Sequence, residues 1–153
     1  MTVYFGLGTN LGNKEQNLRE AVQQIEERIG NIVSLSAFYA TAPWGFTSEN
    51  GFLNAAACVD TTLSPLEVLH ATQEIEQELG RTEKSAGSVY ADRLIDIDLL
   101  LYGDTVMQAE ELVLPHPLMT QRRFVMEPLA EIAPDLMHPI LGKCMKELLA
   151  VLP

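Results

Sequence analysis

The chain has 153 residues, 47% hydrophobic and 20% charged, which is the size and composition of one globular domain, spanning 1–153, with a core of its own. Its formal net charge of -11 argues against nucleic acid or an anionic membrane as partner, because either needs a basic footprint. Met1 to Gly6 lacks the basic segment and apolar run of a secretory signal, and no apolar stretch approaches about 18 residues. A cytoplasmic protein is therefore expected, with Cys58 and Cys144 as free thiols in or near the core.

Val3 to Gly8 reads as a short strand running into Gly6-Leu7-Gly8-Thr9-Asn10-Leu11-Gly12, whose glycine spacing is not that of a dinucleotide-binding turn. Asn13 is placed to cap a helix in which Leu18, Val22, Ile25 and Ile29 recur at helical spacing until Gly30. Asn31 to Tyr39 is β-rich, Thr41 to Gly51 is a loop by its turn residues, and Phe52 to Thr62 returns as a strand. Ser64-Pro65-Leu66-Glu67 is a capping box with proline at the first helical position, and the helix it opens buries Val68, Leu69, Ile75 and Leu79 before Gly80. Arg81 to Asp92 has no apolar periodicity and is a second loop.

Next comes the segment with the most chemistry in it, Arg93-Leu94-Ile95-Asp96-Ile97-Asp98-Leu99-Leu100-Leu101-Tyr102. Strand side chains alternate, so Asp96 and Asp98 share one face while Ile95, Ile97, Leu99 and Leu101 take the other. Two carboxylates about 6 Å apart repel by roughly 3 kcal/mol at an effective dielectric of 20. A bound cation removes that cost, and paired divalent ions between carboxylates belong to phosphoryl transfer. The wet face of a half-exposed strand is the simpler alternative. Gly103-Asp104 then reads as a hairpin turn into Thr105-Val106-Met107, Pro115-His116-Pro117 as a loop, and Thr120 to Met126 and Lys143 to Leu149 as short helices. The order strand, helix, strand, strand, helix, strand predicts an α+β, ferredoxin-like sandwich: four mainly antiparallel strands backed by two principal helices, with active-site loops.

Several segments, in order along nearly the whole chain, resemble the 6-hydroxymethyl-7,8-dihydropterin pyrophosphokinases of folate biosynthesis. They are Gly8 to Gly12, Phe52-Leu53-Asn54-Ala55-Ala56, Gln73-Glu74-Ile75-Glu76 with Gly80-Arg81, Arg93 to Leu100, Pro115-His116-Pro117 leading to Arg122-Arg123-Phe124, and Glu131-Ile132-Ala133-Pro134. The resemblance implies transfer of pyrophosphate from ATP to the pterin hydroxymethyl oxygen with release of AMP. By position, Asp96 and Asp98 would hold two Mg2+ ions bridging the triphosphate, and Arg81 and Arg93 would join them as catalytic residues. Gln73, Glu76, Arg81, Lys84, Arg93, His116 and Arg122 would bind ATP. Thr41, Pro43, Trp44, Phe52, Asn54 and Phe124 would bind the pterin, the two phenylalanines sandwiching the ring. Guanidinium forks suit phosphate oxygens, whereas an exposed arginine, Arg123 included, is as readily a surface ion pair. For His116 the simpler role is a loop histidine donating to a backbone carbonyl.

The sequence departs from the family pattern at Glu83 and at Tyr90-Ala91-Asp92, where many members carry a basic residue and a Trp/Tyr-Gly-Pro run. Lys84 is in position to supply the missing charge, and the 81–92 loop is expected to close over ATP in an arrangement of its own. ATP and the pterin would be the partners of a monomer. Two other readings use the same residues: a two-metal phosphohydrolase or nuclease, and a non-catalytic ferredoxin-like ligand-binding module.

Overall fold

A computed structural model of the protein describes residues 1–41, 51–80 and 94–153. Pro43, Trp44, Arg81, Lys84, Arg93 and the 81–92 loop lie outside the described residues. In chain order the main elements are β1 (Thr2–Thr9), α1 (Lys14–Arg28), β2 (Gly30–Leu35), β3 (Tyr39–Thr41), β4 (Phe52–Thr61), α2 (Pro65–Gly80) and β5 (Asp96–Tyr102). After them come β6 (Met107–Gln108), β7 (Val113–Leu114), a 3-10 turn (Met119–Gln121), α3 (Arg123–Ile132) and α4 (Met145–Ala150).

Local chemistry sets the starts of the two long helices. The Asn13 side chain accepts the Gln16 N–H at 3.1 Å. Ser64 and Glu67 exchange two hydrogen bonds, Ser64 N–H to Glu67 Oε1 at 2.8 Å and Glu67 N–H to Ser64 Oγ at 3.2 Å, so the capping box forms as read. The strands make one five-stranded antiparallel sheet in the order β2-β4-β1-β5, with β3 also paired to β4. This is the ferredoxin-like arrangement.

Both faces of the sheet are covered. Leu18, Ala21 and Ile25 of α1 and Val68 and Ile75 of α2 pack on Val3, Phe5, Leu7, Ile97 and Leu99. On the other face Met126 and Leu129 of α3 and Met145 and Leu148 of α4 pack on Ala56, Leu100 and Leu101. The second helical layer is more than the short pieces expected, because α3 runs through Pro128 to Ile132. Proline inside a helix costs one intrahelical bond, the one to Phe124 O, and here burial of Val125, Met126 and Leu129 outweighs it.

Two expectations about β5 are corrected. Leu101 does not share a face with Ile97 and Leu99, since the register against β1 shifts between Tyr4 and Phe5 and turns Leu101 to the α3 side with Leu100. Nor does the turn at Gly103 make a hairpin. Gly103 has φ +55 and Thr105 N–H bonds Tyr102 O at 3.0 Å, but β6 pairs with β7 instead of β5. The free edge of β5 is met by other groups: Glu76 Oε2 accepts Ile97 N–H at 2.7 Å, and His116 N–H donates to Leu100 O at 2.9 Å. The β-rich 31–39 run is likewise divided into β2 and β3 by the irregular residues 36–38, where Ser36 Oγ accepts Ala56 N–H at 2.9 Å.

Candidate active site

The strand register assembles a floor on the α3 side of the sheet. Asp96 pairs with Gly8, Gly8 with Asn54, and Asn54 with Tyr39; one step along, Asp98 pairs with Gly6 and Gly6 with Ala56, while Thr41 pairs with Phe52. Paired residues point to the same face. Because the central strand contributes only glycines at these rows, nothing stands between the carboxylates and the Asn54 amide two strands away, about 10 Å. The result is a cleft of ≈ 670 Å³ in which Gly6, Gly8, Thr41, Phe52, Asn54, Asp96 and Asp98 form one part of the lining.

The opposite wall comes from the start of α3. Arg122, Arg123 and Phe124 line it, with the Arg122 guanidinium 5.7 Å from the Phe124 ring centre. Phe124 is 43% exposed, so its ring has apolar surface left to cover. Asn54 is buried, and its Nδ2 reaches Thr41 Oγ1 at 3.4 Å, which leaves its Oδ1 toward Gly8. Both aspartates are half-buried.

Gln73 and Glu76 line a separate hollow of ≈ 410 Å³ with Gln77, Gly80, Leu94 and Ile95. Glu76 already holds the Ile97 N–H, so its carboxylate also fixes the strand between the two aspartates. Thr9 Oγ1 donates to Leu94 O and accepts from Asn17 Nδ2 at 3.2 Å, which ties the entry to β5 back to β1 and α1.

His116 lies outside the cleft lining but close enough to Asp98 and Arg122 to feel both charges. Burial holds its pKa below the ordinary value, with the Asp98 carboxylate pulling up and Arg122 pushing down. Its Nδ1 accepts the Leu118 N–H at 3.2 Å, which assigns the ring proton to Nε2. Thus the backbone contact is the reverse of the one expected for a simple loop histidine, since the ring accepts an N–H on Nδ1 instead of donating to a carbonyl, and Nε2 is left as a donor.

Of the expected site residues within the described chain, Thr41, Phe52, Asn54, Asp96, Asp98, Arg122 and Phe124 meet in one cleft, Gln73 and Glu76 in the neighbouring hollow. Sequence reasoning missed Gly6 as part of the floor, although glycines two apart on a strand are the signature of a bare face. It also missed Leu152 and Pro153, which line the cleft from beyond α4 with no local signal at all. Among the described residues no three His, Cys, Asp or Glu side chains gather as a metal cage.

A family model, 7,8-dihydro-6-hydroxymethylpterin-pyrophosphokinase, matches residues 4–134. The 2-amino-4-hydroxy-6-hydroxymethyldihydropteridine pyrophosphokinase of Porphyromonas gingivalis is 51% identical over 138 residues, 90% of this chain and 93% of that protein. The protein of the same name from Aquifex aeolicus is 39% identical over 146 residues, 95% and 89% of the two chains. A solved Plasmodium falciparum HPPK-DHPS with pteroate superposes with a TM-score of 0.78 at 16% identity, covering 97% of this chain and 42% of that one. That likeness is one of fold, and this chain spans less than half the length of that protein. The match in sequence across nearly all of the chain, on a fold with the same layout, leaves no place for a regulatory module or a phosphohydrolase: the chain belongs to the 6-hydroxymethyl-7,8-dihydropterin pyrophosphokinase family.

Proposed function

We propose that the glycine-floored cleft is where this chain carries out the family's reaction, moving pyrophosphate from ATP to the hydroxymethyl group of 6-hydroxymethyl-7,8-dihydropterin. The pterin hydroxyl oxygen forms a bond to the β-phosphorus and gives up its proton to solvent, the bond from that phosphorus to the α,β-bridging oxygen breaks, and AMP leaves with that oxygen. The observation that carries the reading is the register: one row joins Asp96, Gly8 and Asn54, so a heterocycle reader and a phosphate-side carboxylate share a flat floor.

On this reading Phe52 and Phe124 take the two faces of the pterin ring, offset stacking adding about 0.5–1.5 kcal/mol beyond burial. Asn54, with donor and acceptor on one amide, reads the ring edge, and Thr41 orients it. Arg122 and the Nε2–H of His116 serve the phosphates, with Gln73 and Glu76 on the nucleotide side and Arg81, Lys84 and Arg93 joining from the 81–93 segment. Pro43 and Trp44 would complete the pterin pocket.

Asp96 and Asp98 would hold two Mg2+ ions. The donor set fits, because magnesium is commonly bound through one or two carboxylates plus substrate phosphates and water, without an all-protein cage. Bound there, the ions supply positive charge that neutralises the phosphates and the departing oxygen. The chain's own part is to keep the two carboxylates on one face, to desolvate the ring and to align the hydroxyl with the β-phosphorus. Both cysteines are free thiols, as suits a reducing compartment, and the described helices include none long and apolar enough to cross a membrane. A monomer in the cytoplasm, on a single domain over 1–153 and without a nucleic-acid partner, is part of the proposal.

An assay of AMP release tests it. Release should require both magnesium and the pterin alcohol, and Asp96→Asn or Asp98→Asn should lower turnover by about two orders of magnitude or more while leaving thermal unfolding in place. Near-normal turnover in either variant refutes the assignment of the carboxylates.

A further inference from the structure

The cleft has a wall with no role in the reaction as described. Leu152 and Pro153 run back from α4 and line it beside Phe124. Leu152 is half-buried and packs against the core under α3 and α4, so this segment is seated on the body of the protein. Arg123 holds it there: Nη2 donates to Leu152 O at 3.1 Å and to the Pro153 oxygen at 3.4 Å, while Nη1 lies 3.6 Å from Glu127 Oε2.

Arg123 is the first residue of α3 and stands between Arg122 and Phe124. A cation in that position meets the unfavourable end of the helix dipole. The dipole therefore opposes an arginine here, whereas two carbonyl-type oxygens and the i,i+4 partner Glu127 favour it. A guanidinium is a rigid planar fork, so the two hydrogen bonds from Nη2 turn it toward the 152–153 segment, with Glu127 an exposed ion-pair partner beside it.

We infer that Arg123 and the 152–153 segment form a latch that closes the Phe124 side of the cleft and sets the affinity for the pterin. Arg123 is then a positioning residue, acting through the wall it holds, and it is not a phosphate ligand. The inference rests on the reading of this cleft as the pterin site. Its distinguishing consequence is a split: the pterin constant moves and the nucleotide constant does not.

Four variants decide it: Arg123→Ala, Arg123→Lys, a chain ending at Val151, and that shortened chain carrying Arg123→Ala, with Asn54→Ala as a check on the cleft itself. Arg123→Ala and the shortened chain should each raise KM for the pterin about three- to ten-fold, with kcat and the ATP Kd unchanged. Combining them should give no more than the shortened chain alone, because Arg123 acts through the segment that chain lacks. Arg123→Lys, which keeps the charge and loses the fork, should recover only part, and it also serves if the alanine variant folds poorly. An unchanged pterin KM, a weakened ATP Kd, or additive effects in the combined variant overturn the latch. If Asn54→Ala weakens pterin binding and Arg123→Ala does not, the latch alone fails; if Asn54→Ala also leaves it unchanged, the pterin lies elsewhere and both readings fall.

Discussion

Gly8 decides how much of the floor is open. It sits between Asp96 and Asn54 in the register, and a Cβ built on it would lie 2.9 Å from Asn54 Oδ1, closer than such contacts occur. Gly6 differs, since its Cβ would meet only the Leu100 side chain at 3.5 Å, an ordinary contact. Gly8→Ala is therefore expected to displace the Asn54 amide and raise the pterin KM about tenfold, and Gly6→Ala to act more weakly, as steady-state kinetics on both variants would show. A second single-residue effect lies away from the cleft. Burial lowers the His138 pKa from 6.5, and the ring's Nδ1 accepts N–H groups from Ile140 at 3.2 Å and Leu141 at 3.1 Å, an arrangement that only an unprotonated nitrogen allows. In the unfolded chain this histidine takes up a proton near its ordinary value, while the folded ring resists until lower pH. Between those two points the unfolded state binds more protons, so stability falls as pH drops through 6.5. Thermal melts should accordingly decline from about pH 7.5 to about pH 5.5, and His138→Ala, less stable at the upper end by about 1–3 kcal/mol, should decline less steeply.

Among the elements, α3 connects the two sides of the cleft. Its first residues carry Arg123 and Phe124, and from its last turn the Glu131 carboxylate accepts the Ala37 N–H at 3.2 and 3.3 Å and the Tyr39 hydroxyl at 2.6 Å. That bond and the nearby carboxylate raise the Tyr39 pKa to about 12, so the phenol remains a donor across the working range. Since β3 carries Thr41, one of the residues expected to line the pterin pocket, Glu131 helps fix the strand that positions it. Glu131→Gln keeps an acceptor for one partner, Glu131→Ala for none. Pterin KM is expected to rise in the order wild type, glutamine, alanine, with the ATP Kd constant, and equal values for all three in a kinetic comparison would remove this role. Glu131 was visible in the sequence only as part of Glu131-Ile132-Ala133-Pro134, without a task, because its partners lie far back in the chain. Short-range features were readable: the Asn13 cap, the Ser64 capping box and the aspartate alternation each depend on residues a few positions apart. The register shift that turns Leu101 over, and the use of Glu76 and His116 to satisfy the edge of β5, depend on which strand lies beside which, and periodicity alone holds no such information.

For the whole molecule the unresolved tension is between its charge and its substrate. Acidic residues number 21 against 10 basic ones, yet the reaction requires a triphosphate to approach. The basic groups proposed to meet it are concentrated locally, with Arg122 at the N-terminus of α3 beside the aspartate strand. Two opposing effects follow when salt is added. The repulsion of the acidic surface is screened, which favours the compact state, while exposed pairs such as Arg19–Glu15 and Lys146–Asp135 are weakened. Exposed pairs are each worth little, and the first effect acts over the entire surface, so it should dominate. Raising sodium chloride from about 0.02 to about 0.5 M, which shortens the screening length several-fold, is therefore expected to raise Tm by about 2–4 °C. The same screening should speed ATP association measured by stopped flow, because the net field of the body repels a polyanion that only the local arginines attract. A Tm that falls with salt would mean that the ion pairs outweigh the repulsion. An association rate that falls would mean that the cationic rim, and not the net charge, governs the approach of the nucleotide.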